Sequence, residues 1–387
     1  MPADKTLEAR VRARLSDLRG SELLRTMRPP FGVDLSSNDY LRLSTHPRIT
    51  AAFVSGIGSE GCGSTGSRLL RGERSAFVDV ERRFAGFKAT ERSLYFSSGY
   101  LANIALLATL PEADDVIFSD ELNHASLIDG ARLSRARRVI FPHNKPSALA
   151  QLIETTHCSG NRFIVVESLF SMDGDDAPLK AYAHICRKYG VSLIVDEAHA
   201  VGIYGARGTG LIEQCGVEMD VVASVNPAGK ALGVGGAFVA GPSWMIEYLV
   251  QRARPFAFST AAPPAMSHAL MASLDVVRDE PERRERLRKN AAHLRDRLRA
   301  SGVGVAAGDS HIIPVHIGLN ETALAIAASL QVEGFDVRAI RPPTVPEGTA
   351  RLRVSVNVGV SLSMLDQFAR LLAFALREAG VCSAASS

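Results

Sequence analysis

From about residue 75 to residue 265 the chain alternates between two hydrophobic rhythms. Segments with apolar positions three and four apart, at 75–88, 99–110, 125–134, 146–155 and 178–189, predict amphipathic helices. Between them lie short apolar runs: Ser93-Leu94-Tyr95-Phe96, Val116-Ile117-Phe118, Arg138-Val139-Ile140-Phe141, Phe163-Ile164-Val165-Val166, Leu193-Ile194-Val195 and Val221-Val222-Ala223-Ser224. Most are β-branched and apolar on both faces, which predicts buried, mostly parallel strands in an α/β layer fold. Ala237-Phe238-Val239-Ala240 reads as a further strand, antiparallel to the rest. Upstream, residues 6–25 carry Leu7, Val11, Leu15 and Leu18 at helical spacing, a face suited to packing across a subunit or domain boundary, and Pro29-Pro30 stops that helix. Val33-Asp34-Leu35 reads as a short strand. Downstream, a long helix over 264–301, interrupted or bent near Pro281, leads to a small α+β region with strands at 311–317, 337–340 and 351–356, helices at 321–333 and 362–379, and a frayed tail. The expected divisions are 1–35 as N-terminal helix and linker, 36–265 as a large domain, and 266–387 as connecting helix and small C-terminal domain.

Composition narrows the class. The 387 residues suffice for a large domain with a substantial core plus a smaller one, and 46% hydrophobic residues is ordinary for a globular enzyme. A net charge of +3, with basic residues interleaved among acids as in Glu280-Pro281-Glu282-Arg283-Arg284-Glu285-Arg286, does not suggest nucleic-acid binding. Five cysteines (Cys62, Cys158, Cys186, Cys215 and Cys382) without CxxC spacing argue against a zinc site or a disulfide framework, so no metal is expected and a reducing compartment fits. No signal peptide and no membrane-spanning apolar stretch is visible, and a cytoplasmic location is the expectation.

The candidate chemistry begins with lysine. The chain has seven lysines among 44 basic residues, yet one of them stands between glycines in Gly229-Lys230-Ala231-Leu232-Gly233. Lysine kept where arginine is the habit suggests that the amine itself is needed, because a desolvated amine forms a Schiff base and a guanidinium does not. Asp196, at the end of Leu193-Ile194-Val195, can hold a pyridine nitrogen protonated, and His199 can reach a phenolic oxygen on the same ring. An N-cap aspartate with a surface histidine explains the same four residues. A helicase reading of Asp196-Glu197-Ala198-His199 lacks the upstream GxxxxGK[ST] that it requires. Ser97-Ser98-Gly99-Tyr100 opens a helix after a strand, as a phosphate-binding N-terminus or as an ordinary cap. His124, in Asn123-His124-Ala125-Ser126, can stack on a flat ring or fill a structural role. Gly61-Cys62-Gly63-Ser64-Thr65-Gly66-Ser67 reads equally as an active-site wall or a structural turn.

These residues together resemble the α-oxoamine synthases, pyridoxal phosphate (PLP) enzymes of the aspartate-aminotransferase fold. The motifs run from Leu35 to the last helix: Ser36-Ser37-Asn38-Asp39-Tyr40-Leu41, Phe96-Ser97-Ser98-Gly99-Tyr100, Asn123-His124-Ala125-Ser126-Leu127-Ile128-Asp129, Phe170-Ser171-Met172-Asp173-Gly174, Asp196-Glu197-Ala198-His199 and Gly229-Lys230-Ala231. The resemblance implies PLP-dependent transferase fold type I, with a mostly parallel seven-stranded sheet in a large PLP-binding domain and a small C-terminal α+β domain. The segment Ala339 to Arg353 looks most like the member that condenses L-alanine with a pimeloyl thioester, on coenzyme A or an acyl carrier protein. Its products are 8-amino-7-oxononanoate, CO2 and free thiol, in biotin biosynthesis. A sister enzyme using another acyl thioester, or glycine or serine, and a PLP-binding homologue with little catalysis are the alternatives.

By position, the resemblance implies that Lys230 holds the cofactor and moves the Cα proton, Asp196 pairs with the ring nitrogen, His199 meets the phenolic oxygen and His124 stacks on the ring. Backbone at Gly99 and Tyr100 would take the phosphate, Ser171 would line the cofactor, and Thr260 would reach the phosphate of the neighbouring subunit in a homodimer with its active site at the interface. Arg353 would bind the amino-acid carboxylate, Asn38 would sit near the substrate, and Thr344 and Arg341 near the acyl chain or its carrier. For the N-terminal segment, Arg25 and Arg28 are the candidate substrate arginines. The chain departs from the family in three places. Pro227 stands where a threonine or serine usually donates a hydroxyl to the phosphate, Phe77 where relatives often carry histidine, and Asn357-Val358-Gly359 where Ala-Ala-His is common.

Overall fold

The computed structural model describes residues 6–381, so the expected C-terminal fraying and Cys382 lie outside the described residues. The chain forms two compact units. Of the described residues, 6–37, 172–174 and 286–381 make the smaller, and Asn38–Ser171 with Asp175–Glu285 the larger.

The smaller unit begins with α1 (Leu7–Gly20) and β1 (Val33–Asp34). The larger then runs α2 (Pro47–Glu60), α3 (Ser75–Lys88), β2 (Arg92–Phe96), α4 (Gly99–Leu107), β3 (Val116–Asp120), α5 (Ala125–Leu133), β4 (Arg137–Phe141), α6 (Pro146–Thr155), β5 (Arg162–Glu167), α7 (Leu179–Tyr189), β6 (Ser192–Asp196), α8 (Leu211–Cys215), β7 (Val221–Pro227), β8 (Ala237–Gly241), α9 (Ser243–Arg252), α10 (Arg254–Ala257) and α11 (Ala265–Asp279). After α12 (Glu282–Ala300), the smaller unit resumes with β9 (Ile312–Gly318), α13 (Asn320–Val332), β10 (Phe335–Asp336), β11 (Ala339–Ile340), β12 (Ala350–Ser355) and α14 (Leu362–Glu378).

The larger unit is built on a seven-stranded sheet in the order β2-β8-β7-β6-β5-β3-β4. β3, β4, β5, β6 and β7 pair in parallel, and β8 pairs antiparallel with both neighbours, as its sequence suggested. The central apolar runs lie in the sheet because both of their faces are covered; the edge strand β4 departs from the expected burial, with Ile140 55% exposed. Ile117, Ile164, Leu193, Ile194 and Val195 have no exposed surface. One core cluster joins strand residues such as Ile117, Val165 and Ile194 to Ala102, Leu106 and Leu127 of α4 and α5, and to Ile246 and Leu249 of α9. Burial on this scale, at about 25 cal/mol per Å², is what holds sheet and helices together. The smaller unit holds the antiparallel sheet β11-β12-β9 and the parallel pair β1-β10.

Helix ends follow the sequence cues, with differences. The expected helix over 6–25 spans α1 only, and α1 buries none of its residues. The 264–301 helix is interrupted near Pro281 as expected, dividing into α11 and α12, since proline removes a backbone donor. α2, α8, α9 and α10 were not read from the sequence. α2 hides its period behind Gly56 and Gly58. Gly56 is needed where α2 meets α11, because a Cβ there would lie 3.0 Å from Ala265 Cα and from the His268 ring.

Candidate active site

Four strands of the larger unit end in polar or special residues: Asp120 on β3, Glu167 on β5, Asp196 on β6 and Pro227 on β7. Glu167 and Asp196 are register partners. Ligands of open α/β sheets bind beyond such carboxyl ends. Here a cavity of about 300 Å³ opens there, lined by Asn38, Gly99, Tyr100, His124, Asp196, His199 and Lys230 among others.

Asp196 is buried at the strand end, held on both oxygens. Its Oδ1 accepts from the Ala198 N–H at 2.8 Å and its Oδ2 from Asn103 Nδ2 at 2.7 Å. Asn103 Nδ2 also donates to Ser126 Oγ at 2.9 Å, and Ser126 Oγ lies 2.7 Å from His124 Nδ1. The Ser126 N–H donates to that same Nδ1 at 3.2 Å, so Nδ1 is an acceptor and the proton of the neutral ring sits on Nε2. Burial lowers the His124 pKa, Lys230 lowers it further, and the Asp196 carboxylate opposes them without prevailing. His124 is therefore a neutral flat ring whose orientation is fixed by the network that fixes Asp196.

His199 is buried, with Nδ1 2.7 Å from the Tyr40 hydroxyl, which donates to Asn38 Oδ1 at 2.8 Å. Lys230 is half-buried in the connection between β7 and β8. That connection is closed by bonds from Gly233 N to Lys230 O, Val234 N to Ala228 O and Ala228 N to Gly236 O. Gly233 and Gly236 both take positive φ and pack against Leu43-Ser44 and Tyr95, where no side chain fits.

α4 starts at the cavity. Ser98 caps it by accepting from Leu101 N at 3.2 Å. The earlier N–H groups have no partner inside the helix, so this end suits an anion. Tyr100 lines the cavity, and its exposed side chain donates to Asp129. Pro227 closes the other side of this end: a Cβ on Gly99 would fall 2.7 Å from Pro227 Cγ.

A family model described as aminotransferase class I and II matches residues 32–372. The chain belongs to the aminotransferase class I and II family. A curated relative from Anaeromyxobacter dehalogenans, an 8-amino-7-oxononanoate synthase, is 45% identical over 344 residues, which are 89% of this chain and 86% of the relative. Another of the same name, from Geobacter sulfurreducens, is 43% identical over 350 residues, covering 90% of this chain and 89% of the relative. Among solved structures, a serine palmitoyltransferase from S. paucimobilis with a bound PLP–myriocin aldimine superposes with a TM-score of 0.90 at 28% identity, covering 97% of this chain and all of that one. An 8-amino-7-oxononanoate synthase from Francisella tularensis superposes with a TM-score of 0.78 at 30% identity, covering 90% of this chain and 98% of that one. These relatives agree with the resemblance to α-oxoamine synthases and with the fold type read from the motifs.

In this aminotransferase-family chain the cavity gathers Asn38, Gly99, Tyr100, His124, Asp196, His199 and Lys230. Ser171 is buried nearby in sequence, its N–H donating to Glu167 Oε2 at 3.3 Å. Thr260 lines a separate small cleft with Arg68, Phe77 and Tyr95. Arg353, Arg341 and Thr344 belong to the smaller unit. There Arg353 is buried on β12 and donates to Ser355 Oγ at 2.8 Å. Arg341 and Thr344 line a groove of about 670 Å³ with Arg25 and Arg28, and Arg25 donates to Thr344 Oγ1 at 3.1 Å. The glycine-rich loop 61–67 does not line the cavity. It is tied to the chain before α11 by Ser64 Oγ donating to Ala262 O at 2.6 Å and by Ala261 N donating to Gly66 O at 3.0 Å.

The sequence reading missed Tyr40, Asn103, Ser126 and Glu167. Glu167 lines the cavity, and its Oε1 is buried with no hydrogen-bond partner. Burial pushes its pKa up to about 8, helped by the Asp196 charge and opposed by Lys230. Its signal was available: it ends an apolar run, as Asp196 does.

Proposed function

We propose that this chain is a PLP-dependent C-acyltransferase that condenses L-alanine with a pimeloyl thioester, releasing CO2 and free thiol and giving 8-amino-7-oxononanoate. The observation that carries the reading is one cavity holding an amine (Lys230), a strand-end carboxylate (Asp196) and two histidines beside the start of a helix, in a chain 45% identical to synthases of that name. The cavity suits a flat, phosphorylated pyridine. It has a neutral ring at His124, a carboxylate at one wall, N–H donors at α4 and a buried carboxyl at Glu167.

PLP, when bound, supplies a protonated ring that accepts electrons from the amino acid's Cα. Lys230 Nζ would hold the cofactor, and once released would take the Cα proton and later return it. Asp196 would keep the ring nitrogen protonated, His199 would meet the phenolic oxygen, and His124 would cover the ring face. Gly99 and Tyr100 backbone would bind the phosphate, with Thr260 reaching a second copy's phosphate and Ser171 near the cofactor. Arg353 would take the amino-acid carboxylate, Asn38 would stand by the substrate, and Thr344 and Arg341 would meet the acyl group or its carrier. A homodimer in the cytoplasm, with L-alanine and pimeloyl-CoA or a pimeloyl carrier protein as partners, completes the reading.

The test is PLP- and alanine-dependent thiol release from pimeloyl-CoA by the purified protein, with the product identified by mass. Lys230→Ala should abolish turnover by a factor of at least about 10³ and remove the visible band of the bound cofactor; normal product formation by that variant would refute the assignment. A second reading, a serine-using palmitoyl transferase, is favoured by the TM-score of 0.90 to such an enzyme. L-serine with palmitoyl-CoA in the same assay separates the two.

A further inference from the structure

One of the few lysines in this arginine-rich chain lies fully inside the larger unit, and it does not face the cavity. Lys88, the last residue of α3, has 3% of its side chain exposed, and its partner Glu197 has none. Lys88 Nζ donates to Glu197 Oε2 at 2.5 Å and to Thr209 O at 2.6 Å. The other carboxylate oxygen of Glu197 accepts from Ile212 N at 3.0 Å, and its own N–H donates to Val225 O at 2.8 Å. Gly210 closes the pocket, since a Cβ there would meet Glu197 Oε2 at 2.0 Å. A buried ion pair is rarely more stabilising than packed apolar residues of the same volume, so its presence here calls for a purpose other than stability.

The purpose is suggested by the neighbour. Glu197 follows Asp196 directly, and at a strand end consecutive side chains point to opposite sides. Asp196 lines the cavity and Glu197 does not. Without a counter-charge, the second carboxylate would add its field to the first across a medium that screens poorly.

We propose that Lys88 is a positioning residue for the site: it holds Glu197 turned away and cancels its charge, so that Asp196 alone sets the negative potential at that wall. This rests on the cofactor reading above. Glu167 from β5, His124 from the start of α5, His199 from the loop after β6 and Lys230 from the β7–β8 connection line the same cavity as Asp196; Cys215 of α8 senses Glu197.

Opposite charge changes give the test. The full-length protein is loaded with PLP, and two quantities are read: the midpoint pH of the cofactor's visible absorption change, and the thermal midpoint. Lys88→Met leaves an uncompensated negative charge and should raise the midpoint pH by on the order of one unit. Glu197→Gln leaves a positive charge and should lower it by a similar amount, and the double variant should return to the parent value. Lys88→Arg keeps the charge and should keep the midpoint pH while lowering thermal stability. A pair that serves packing alone would change only the thermal midpoint. Unmoved midpoints, or changes of the same sign in both single variants, overturn the inference. If Lys88→Met does not fold, a lowered midpoint in Glu197→Gln that the double variant reverses supports it, and an unchanged one overturns it. A parent protein that shows no visible band with added PLP overturns the cofactor reading instead.

Discussion

Glu167 is a buried carboxyl group at a strand end, in register with a second carboxyl, Asp196. Its pKa of about 8, raised first by burial, means that the folded protein holds this proton where the unfolded chain, near 4.5, releases it. The favourable contribution is therefore fully present below about 4.5 and is lost as pH rises through 8, at about 1.4 kcal/mol for each pH unit between those two values. Glu167→Gln keeps the shape and removes the titration. The variant should match the parent's thermal midpoint near pH 5 and exceed it at pH 8.5, and parallel curves over that range would disprove the raised pKa. The residues that define the site were legible where chemistry is rare. Lys230 stood out by scarcity, and Asp196 and His199 by their place after an apolar run. Asn103 and Ser126 were not legible, because an asparagine and a serine inside helices are common and only the fold brings them to Asp196.

At the level of elements, the close approach of α4 to β7 makes Gly99 and Pro227 one feature. Gly99→Ala drives a methyl into the Pro227 ring and should weaken PLP binding at least about tenfold, measured by absorbance titration, whereas adding Pro227→Gly should recover most of the loss. Equal affinity of Gly99→Ala and parent would mean that the contact yields. A second joint lies at the ends of β3 and β4, where His143 places Nδ1 2.9 Å from Asp120 and Nε2 2.8 Å from Asp175. Burial lowers its pKa, but the two carboxylates outweigh burial and push it up to about 10. The stabilisation is thus complete below pH 6.5 and is lost as pH rises through 10. His143→Gln should cost roughly 2 kcal/mol at neutral pH, with the difference in thermal midpoint narrowing as pH rises toward 10. The strands were legible because continuous apolar runs have few other uses. α2, α9 and α10 were not, because their glycines, prolines and aromatics obscure the helical period and tertiary packing overrides weak local preference.

At the scale of the molecule, each unit displays apolar side chains that a single chain leaves in water. On the smaller unit these include Leu7, Val11, Leu15 and Leu18 of α1, with Met27 and Phe31 after it. On the larger they include Leu69, Leu70 and Phe258, the last of these two residues from Thr260. A second copy is the expected cover, so light scattering should give a dimer mass, and Val11→Glu with Leu15→Glu should shift it toward the monomer. A monomeric parent would remove the basis for Thr260 reaching across. Among the described residues no helix is long and apolar enough to cross a membrane.

The reversed strand β8 has a consequence for how the molecule is made. β2 is an edge strand whose one partner in the sheet is β8, with Arg92 opposite Gly241 and Phe96 opposite Ala237. On a ribosome β2 emerges early and waits, unpaired, while the five parallel strands are synthesised in order. The start of α4 follows directly from β2 and packs against Pro227 at the end of β7, so the anion-binding end of that helix takes its final place only when the last strands, β7 and β8, are added. Lys230 lies in the connection just before β8. The amine and the anion seat would thus be set in the same late step, and a nascent chain that stops short of residue 241 would carry most of the sheet but neither half of the finished pocket.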